Sequence, residues 1–161
     1  MTAPEDMIEL ERALTRISHL MTRAKQHDRT MVEAGIALDR ASAPLLRLLA
    51  DAPEPVRLGT LADRLAVEAP HVTRQVQRLE RTGFVERVPD PDDGRAQRVR
   101  ITAAGAEAVE CVRAVGRRWM AEALADWSEE DRHRLAVLSH RMVDDFLRHA
   151  EENHLIGHRT G

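Results

Sequence analysis

The chain has 161 residues, 43% of them hydrophobic, and a formal net charge of −3 at pH 7. That length suits one domain, with or without dimerisation arms, and no apolar run approaches the ~20 residues of a membrane-spanning helix or the apolar core of a signal peptide. We therefore expect a cytoplasmic protein, and the single cysteine, Cys111, excludes an internal disulfide.

Two helices are predicted at the start of the chain. The first runs from Glu5 to about Val32, because apolar side chains recur at helical spacing between Leu10 and Ala24. The second follows Ser42, which is a candidate cap, and has Pro44 in its first turn, where a missing amide costs nothing. The apolar stripe of the first helix is long enough to need burial against other apolar surface, and a second copy of the chain would provide that surface.

A pair of shorter helices is predicted next. Thr60 and Asp63 have the spacing of a capping box, in which each side chain satisfies a free amide at a helix start. Pro70 then stands where a new helix would begin. An apolar stripe along Ala69–Thr82 indicates that one face of this helix packs on a core, and Gly83 supplies a left-handed end.

A β-hairpin is predicted after these helices, because residues 84–88 and 97–101 both alternate like half-buried strands. The segment between them is rich in Pro, Asp and Gly, which favours a turn, and it carries Arg95 at its tip. The order of helix, turn, helix and hairpin is that of a winged helix.

Two long helices are predicted to complete the chain. Thr102 caps the first, which runs to about Ala125, and Ser128 with Asp131 forms a capping box for the last, which ends near Glu152. The predicted fold is mainly α with a small β-hairpin wing, a winged helix-turn-helix flanked by long dimerisation helices. The expected regions are N-terminal helices (1–53), the winged helix (54–102), C-terminal dimerisation helices (103–152) and a tail (153–161).

The helix over residues 69–82 has the side chains of a DNA reader. Arg can donate two hydrogen bonds to guanine and Gln can pair with adenine, in a major groove about as wide as one helix. This helix holds three Arg against one Glu, so positive charge is concentrated here although the chain is acidic. The candidate DNA-binding residues are His71, Thr73, Arg74, Gln75, Arg78 and, in the wing, Arg95.

The string V-T-R-x-V-x-R-L-E-x-x-G-F-V-E-R-x-x-D-x-x-D-G-R, which begins at Val72 and is followed by R-I-T-A-A-G, resembles the MarR (multiple antibiotic resistance regulator) family. The resemblance implies a homodimeric repressor of palindromic double-stranded DNA, often released by a small ligand. It also implies that Ala69–Thr82 reads the major groove and Arg95 the minor groove. Glu68 stands where many members have Asp or Ser, and is a weaker cap. Since an acid at this turn pairs with the wing arginine in relatives, Glu68 is the candidate wing support.

A basic stripe along the first helix is a further candidate site. Arg12, Arg16, His19 and Arg23 recur about one helical turn apart, and a solvated face is the plain interpretation. Family ligands are often aromatic acids that lodge between the first helix and the DNA-binding lobe. The resemblance therefore implies that Arg16, His19 and Arg23 are candidate ligand-binding residues for a small anionic or aromatic effector.

Other chemistries find little support in the sequence. No glycine-rich phosphate loop, nucleophile elbow or zinc-protease string is present, so we expect no enzyme activity and no cofactor. The histidine pairs lack a third ligand, so we expect no metal site, and Cys111 has no neighbour that would activate its thiol. The alternative function is a winged-helix protein-interaction module, an anti-repressor without specific DNA binding.

Overall fold

A computed structural model describes residues 4–21, 24–93 and 95–157. Its mainly helical architecture with a small antiparallel sheet confirms the predicted fold class. Within these residues no helix is both long enough and apolar enough to cross a membrane. The helices are α1 (Glu5–Met21), α2 (Ala24–Ala34), α3 (Ala43–Asp51), α4 (Leu58–Leu65), α5 (Ala69–Arg81), α6 (Ala103–Ala123) and α7 (Glu129–Gly157), and the strands are β1 (Val56–Arg57), β2 (Val85–Pro89) and β3 (Gln97–Ile101).

The chain divides into two compact units, Met1–Arg118 and Trp119–Gly161. The core of the first unit collects side chains from helices α3, α4 and α5, from the sheet and from the first turns of α6. Val109 and Val112 of α6 belong to this core. The core of the region predicted as a winged helix, residues 54–102, is therefore completed by side chains of α6. Among the described residues, the apolar ones with no exposed area are Leu46, Leu61, Val72, Val76 and Val99.

The N-terminal segment forms two described helices, α1 and α2. The prediction of one continuous helix to Val32 depends on residues 22 and 23, which lie outside the described part of the chain. Helix α1 has no buried residue, and its apolar stripe is open, with Ile17 52% and Met21 69% exposed. Helix α2 is anchored by Met31, which is 7% exposed.

The helix-turn-helix, α4 and α5, differs from the prediction at its start. Helix α4 begins at Leu58 with Arg57 as its N-cap, so the predicted Thr60 capping box is wrong and Thr60 lies within the first turn. Strand β1 decides this start, because it pairs with β3 up to Arg57. The end of α5 is as predicted: Gly83 is left-handed (φ 75°), and its N–H donates to the carbonyl of Glu80 at 2.9 Å.

The sheet has the strand order β1-β3-β2, and both pairings are antiparallel. Strands β2 and β3 confirm the predicted hairpin, with Val85 opposite Ile101 and Pro89 opposite Gln97. Strand β1 was not predicted, because two residues are too few to show a period of two.

Thr102 joins the wing to the end of α5 and to α6. Its N–H donates to the carbonyl of Phe84 (3.0 Å), and its hydroxyl donates to the carbonyl of Gly83 (2.7 Å). The same hydroxyl oxygen accepts the N–H of Gly105 at 3.1 Å, which confirms the predicted cap. A Cβ atom on Gly105 would lie 2.1 Å from the carbonyl oxygen of Phe84, so α6 approaches this backbone more closely than any other residue type would permit.

Within the second unit, α7 begins at the predicted cap. The N–H of Asp131 donates to the hydroxyl oxygen of Ser128 at 3.0 Å, and that hydroxyl donates to the Asp131 carboxylate at 2.7 Å. The helix leaves a broad apolar stripe uncovered, and a single chain therefore does not bury it. The stripe is formed by Leu135, Leu138, Val143, Phe146 and Leu147, which are 44–60% exposed.

Candidate nucleic-acid interface

The exposed face of α5 is a run of polar and basic side chains. Arg74, Gln77, Arg78 and Arg81 are exposed and follow the spacing i, i+3, i+4 and i+7 of a single helix face. Arg74 and Arg78 were predicted, whereas Gln77 and Arg81 were missed. Their helical spacing from Arg74 could have identified them from the sequence. The apolar stripe on the opposite face of the helix also indicates that these two positions face away from the core.

Gln75 corrects the prediction of a base-reading side chain. It is only 5% exposed and lies on the buried side of α5 together with Val72, Val76 and Leu79. Its amide oxygen lies 2.6 Å from the hydroxyl of Ser42, a residue with no exposed area. Gln75 therefore faces the interior, and its amide is not exposed to a base edge in this conformation.

Two other predicted DNA-binding residues, Thr73 and His71, have polar contacts within the helix itself. The hydroxyl of Thr73 donates to the carbonyl of Ala69 at 3.0 Å, so its hydrogen is used and only its oxygen can accept a bond from DNA. His71 is half-buried, with its Nε2 3.4 Å from the Gln75 side-chain amide. These two positions are secondary to the exposed arginines as candidate DNA contacts.

The charges around α5 leave its exposed face positive. Glu80, the single acid of the helix, pairs with Arg87 of β2 at 3.0 Å and so does not neutralise that face. Arg78 approaches Asp39 at 3.9 Å, a loose and half-exposed pair. Arg74 forms no ion pair within the described ranges. Phosphate attraction acts locally, so a focused patch of this kind attracts DNA even on an acidic chain.

The wing presents Arg95 but is not supported as predicted. The side chain of Arg95 is exposed, and its backbone N–H donates to Asp93 at 3.0 Å. Among the described residues Arg95 makes no ion pair with Glu68. Glu68 is instead the N-cap of α5, with an extended backbone and no side-chain capping bond. The longer Glu side chain overshoots the short capping geometry that suits Asp or Ser.

The wing is held by Asp90, which the sequence did not single out. Its side chain has no exposed area and accepts hydrogen bonds from Arg57 (2.5 Å) and Arg98 (2.8 Å), so it ties the start of α4 to the turn end of the hairpin, where β2 ends and β3 begins. Hydrogen bonds from Arg57 and then Arg98 hold the pKa of the Asp90 carboxyl far below its usual range. Asp90 is therefore an anion in the folded chain at neutral pH.

Replacing Asp90 with asparagine is expected to lower the thermal unfolding midpoint at neutral pH, because Arg57 and Arg98 would remain side by side without their counter-ion. Since the native pKa of Asp90 is depressed, its contribution is fully present above the ordinary Asp pKa of ~3.9 and is lost as the pH falls below it. The difference between wild type and Asp90→Asn should be constant from pH 8 to 5 and should shrink below about pH 4.

Thermal unfolding followed by circular dichroism between pH 8 and 3 measures this difference. Asp92→Asn is the matched control, since Asp92 also contacts Arg98 (3.2 Å) but is 77% exposed. An exposed pair contributes little, so the control should unfold close to wild type. Equal midpoints for Asp90→Asn and wild type at pH 7 would contradict the role of Asp90.

The candidate ligand residues on α1 lie on an open surface. Arg16 and His19 are exposed, and Arg23 lies outside the described residues. Arg12, one turn before Arg16, pairs with Glu9 at 2.5 Å. The described part of α1 thus offers Arg16 and His19 as exposed basic groups beside the paired Arg12.

The sequence is similar to those of known transcriptional regulators. The sequence profile of the MarR family matches residues 38–96. A Bacillus subtilis protein named as an uncharacterized HTH-type transcriptional regulator, YdgJ, is 34% identical over 110 residues, which are 68% of this chain and 66% of that protein. Against the mycobacterial HTH-type regulators that it also matches, the chain spans about half of their length, 52%.

Solved structures share the fold. A MarR family protein from Bacillus stearothermophilus superposes with a TM-score of 0.78 at 20% identity, covering 91% of this chain and 99% of that one. A MepR–DNA complex from S. aureus superposes with a TM-score of 0.59 at 20% identity, covering 84% and 98% of the two chains.

Proposed function

Because this chain belongs to the MarR family of HTH-type transcriptional regulators, we propose that it is a homodimeric repressor that binds palindromic double-stranded DNA and is released by a small ligand. Members of the family regulate transcription and are not enzymes, so an enzymatic role is set aside. A regulator of this kind works in the cytoplasm, where promoter DNA is accessible.

The observation that carries the proposal is the exposed face of α5. Arg74, Gln77, Arg78 and Arg81 line one side of a helix whose other side is anchored in the core, as major-groove reading requires. Arg95 on the wing is placed beyond the hairpin strands, where a minor-groove contact would fall. S. aureus MepR, which has the same fold, has been solved in complex with DNA, and this supports the proposal.

Selection from a random double-stranded DNA library by the full-length chain tests the proposal. A homodimer should enrich an inverted repeat whose half-sites are centred about one helical turn, ~34 Å, apart. The alternative, an anti-repressor that binds only protein, predicts that no motif is enriched. The exposed Arg74, Arg78 and Arg95 favour the DNA-binding function, since a protein-interaction module has no need of them.

The exposed apolar stripe of α7 supports the homodimer. Leu138 is 54% and Phe146 58% exposed in the single chain, and apolar surface of this extent is stabilised by burial against a partner. The open stripe of α1, which includes Ile17, offers further apolar area. A second copy of the chain is the occupant that the two-fold symmetry of a palindromic site requires.

Leu138→Glu is expected to convert the dimer to a monomer, because it places a charge in an apolar interface without a partner. Sedimentation at micromolar concentration should give about twice 18.1 kDa for wild type and a single 18.1 kDa species for the variant. Operator affinity should fall by about 10²–10⁴, since the two half-sites would no longer be joined.

The helical circular dichroism of Leu138→Glu should match wild type, because Leu138 is already half-exposed in the single chain. Leu138→Met keeps the apolar surface and is the control that should remain dimeric. A wild-type chain that sediments as a monomer with full helicity would remove the basis for paired half-sites.

The releasing ligand is proposed to be a small anionic or aromatic molecule. Support comes from Arg16 and His19, two exposed basic side chains on α1. A ligand that binds the DNA-free form more tightly must weaken DNA binding by the same factor by which DNA weakens its own binding. Thermal-shift screening of aromatic carboxylates should give hits that are lost in Arg16→Ala and His19→Ala, and hits unchanged in both variants would place the ligand elsewhere.

A further inference from the structure

A polar cluster with a buried centre and a more exposed rim lies against the inner side of α5. It comprises Asp39, Ser42, His71 and Gln75 and links the segment before α3 to the middle of α5. The hydroxyl oxygen of Ser42 lies 2.7 Å from Oδ2 of Asp39 and 2.6 Å from the Gln75 amide oxygen, and the Gln75 amide nitrogen lies 3.4 Å from Nε2 of His71. Ser42 and Gln75 are 0% and 5% exposed.

The hydrogens available to the cluster fix its arrangement. Ser42 has one hydroxyl hydrogen for two neighbours, and the Asp39 carboxylate is the stronger acceptor. Burial raises the pKa of Asp39, but hydrogen bonds from Ser42 and Ala41 outweigh this and hold the pKa below its ordinary value. With Asp39 ionised, Ser42 donates its hydrogen to Asp39 and cannot also donate to Gln75. Exchanging the oxygen and nitrogen of the Gln75 amide then lets its NH₂ donate to the Ser42 oxygen and places its oxygen toward Nε2 of His71.

Packing alone does not require a polar residue at position 75. Gln75 and His71 border a cavity of about 220 Å³ whose other walls are mostly apolar, among them Pro44, Leu45 and Leu65. An unbranched apolar side chain would suit that environment, and exchanging buried polar groups for apolar ones is often neutral for stability. We therefore look for the role of the Gln75 amide in its hydrogen bonds and not in its packing.

Directional hydrogen bonds supply that contribution. Apolar contacts are non-directional and leave a helix some freedom to rotate about its axis, whereas the bond between Gln75 and Ser42 fixes one angle. Arg74 is the residue next to Gln75, and Arg78 is one turn further along the same helix. The Asp39 carboxylate that accepts the Ser42 hydrogen also lies 3.9 Å from Arg78, so the segment before α3 contacts both the inner side of the helix and one of its exposed arginines.

We propose that Gln75 is a positioning residue, which through Ser42 and Asp39 sets the rotation of α5 and thereby the base preference of Arg74 and Arg78. The proposal rests on the DNA-binding function proposed above. It gives the buried Gln75 a role in specificity without any contact to DNA.

Gln75→Met tests the proposal, because the variant keeps the volume of the side chain and leaves the Ser42 hydroxyl bonded to Asp39. Wild type and variant are each offered the random double-stranded DNA library, and affinities are then measured for the selected site and for a scrambled duplex. The ratio of the two affinities should fall about tenfold, the cost of one misread base pair or more. The affinity for the scrambled duplex and the thermal midpoint should stay close to wild type.

Val76→Ala is the matched control on the same helix, since it removes core volume and leaves the polar cluster intact. It should lower the thermal midpoint while keeping the wild-type base preference. A control with the same loss of preference as Gln75→Met would mean that loosening α5 by any route is sufficient, which would overturn the specific role of the amide.

Ser42→Ala removes the same hydrogen bond from the other side and provides a second, independent variant. Both substitutions remove the same hydrogen bond, the one between Ser42 and Gln75. Ser42→Ala, and the double variant Ser42→Ala with Gln75→Met, should therefore lose no more base preference than Gln75→Met alone. Additive losses, or an unchanged affinity ratio in both single variants, would overturn the proposal. If wild type itself selects no motif, the proposed DNA-binding function has failed, and that outcome is distinct from a specific wild type with unaffected variants.

Discussion

Replacing Gly105 with alanine is expected to lower the free energy of unfolding by about 3 kcal/mol, at the upper end of what overpacked cores show. The new methyl group would lie 2.1 Å from the carbonyl oxygen of Phe84 and 2.8 Å from a side-chain carbon of Ile101. Alanine is favoured over glycine inside a helix by about 1 kcal/mol, but the obstacle is backbone and cannot rotate away. The clash therefore exceeds the gain in helix propensity.

Chemical denaturation followed by circular dichroism measures this effect. Gly59→Ala is the control, because Gly59 is also helical and a Cβ there would have no atom within 4 Å. The control should be neutral or more stable than wild type by up to about 1 kcal/mol. If Gly105→Ala were as stable as Gly59→Ala, the close approach of α6 to Phe84 would not exist in the folded protein.

Arg74→Ala is expected to produce the largest loss of DNA recognition by a single side chain. If Arg74 donates two hydrogen bonds to guanine, its removal should cost about 1–3 kcal/mol and blur base preference at one position in each half-site. Arg95→Ala should weaken binding with little change in preferred bases beyond A·T content near the wing. The minor groove offers only a degenerate pattern of acceptors and a width-dependent potential.

Affinity measurements on variants of the selected site, at two salt concentrations, separate these contributions. Arg113→Ala removes the same charge from α6, where Arg113 pairs with Asp51, and serves as the control for a general electrostatic effect. Identical base-preference profiles for Arg74→Ala and Arg95→Ala would contradict the division of roles between α5 and the wing. A similar loss in Arg113→Ala would reduce the effect to net charge.

The sequence by itself determined the order of the helix-turn-helix, the hairpin and the two C-terminal helices, and several of their ends. Helical spacing located α5, the glycine at 83 ended it, and the side chains of Thr102 and Ser128 capped the helices that follow. All of these signals act over a few residues, because a cap or a turn satisfies backbone groups near it in the chain. Arg74 and Arg78 of α5 and Arg95 of the wing could be identified for the same reason.

Only the tertiary structure decided which polar side chains face DNA and which face the core. Gln75 and Asp90 were misjudged or missed because their partners, Ser42 and Arg57, are each 33 residues away in sequence. Position 75 lies at the margin between the apolar and the exposed sides of α5, so the periodicity does not decide which way its side chain points. A hydrogen-bond partner from another segment, Ser42, decides it. The steric restriction at Gly105 likewise depends on the backbone of Phe84, which lies next to Gly105 only in the folded chain.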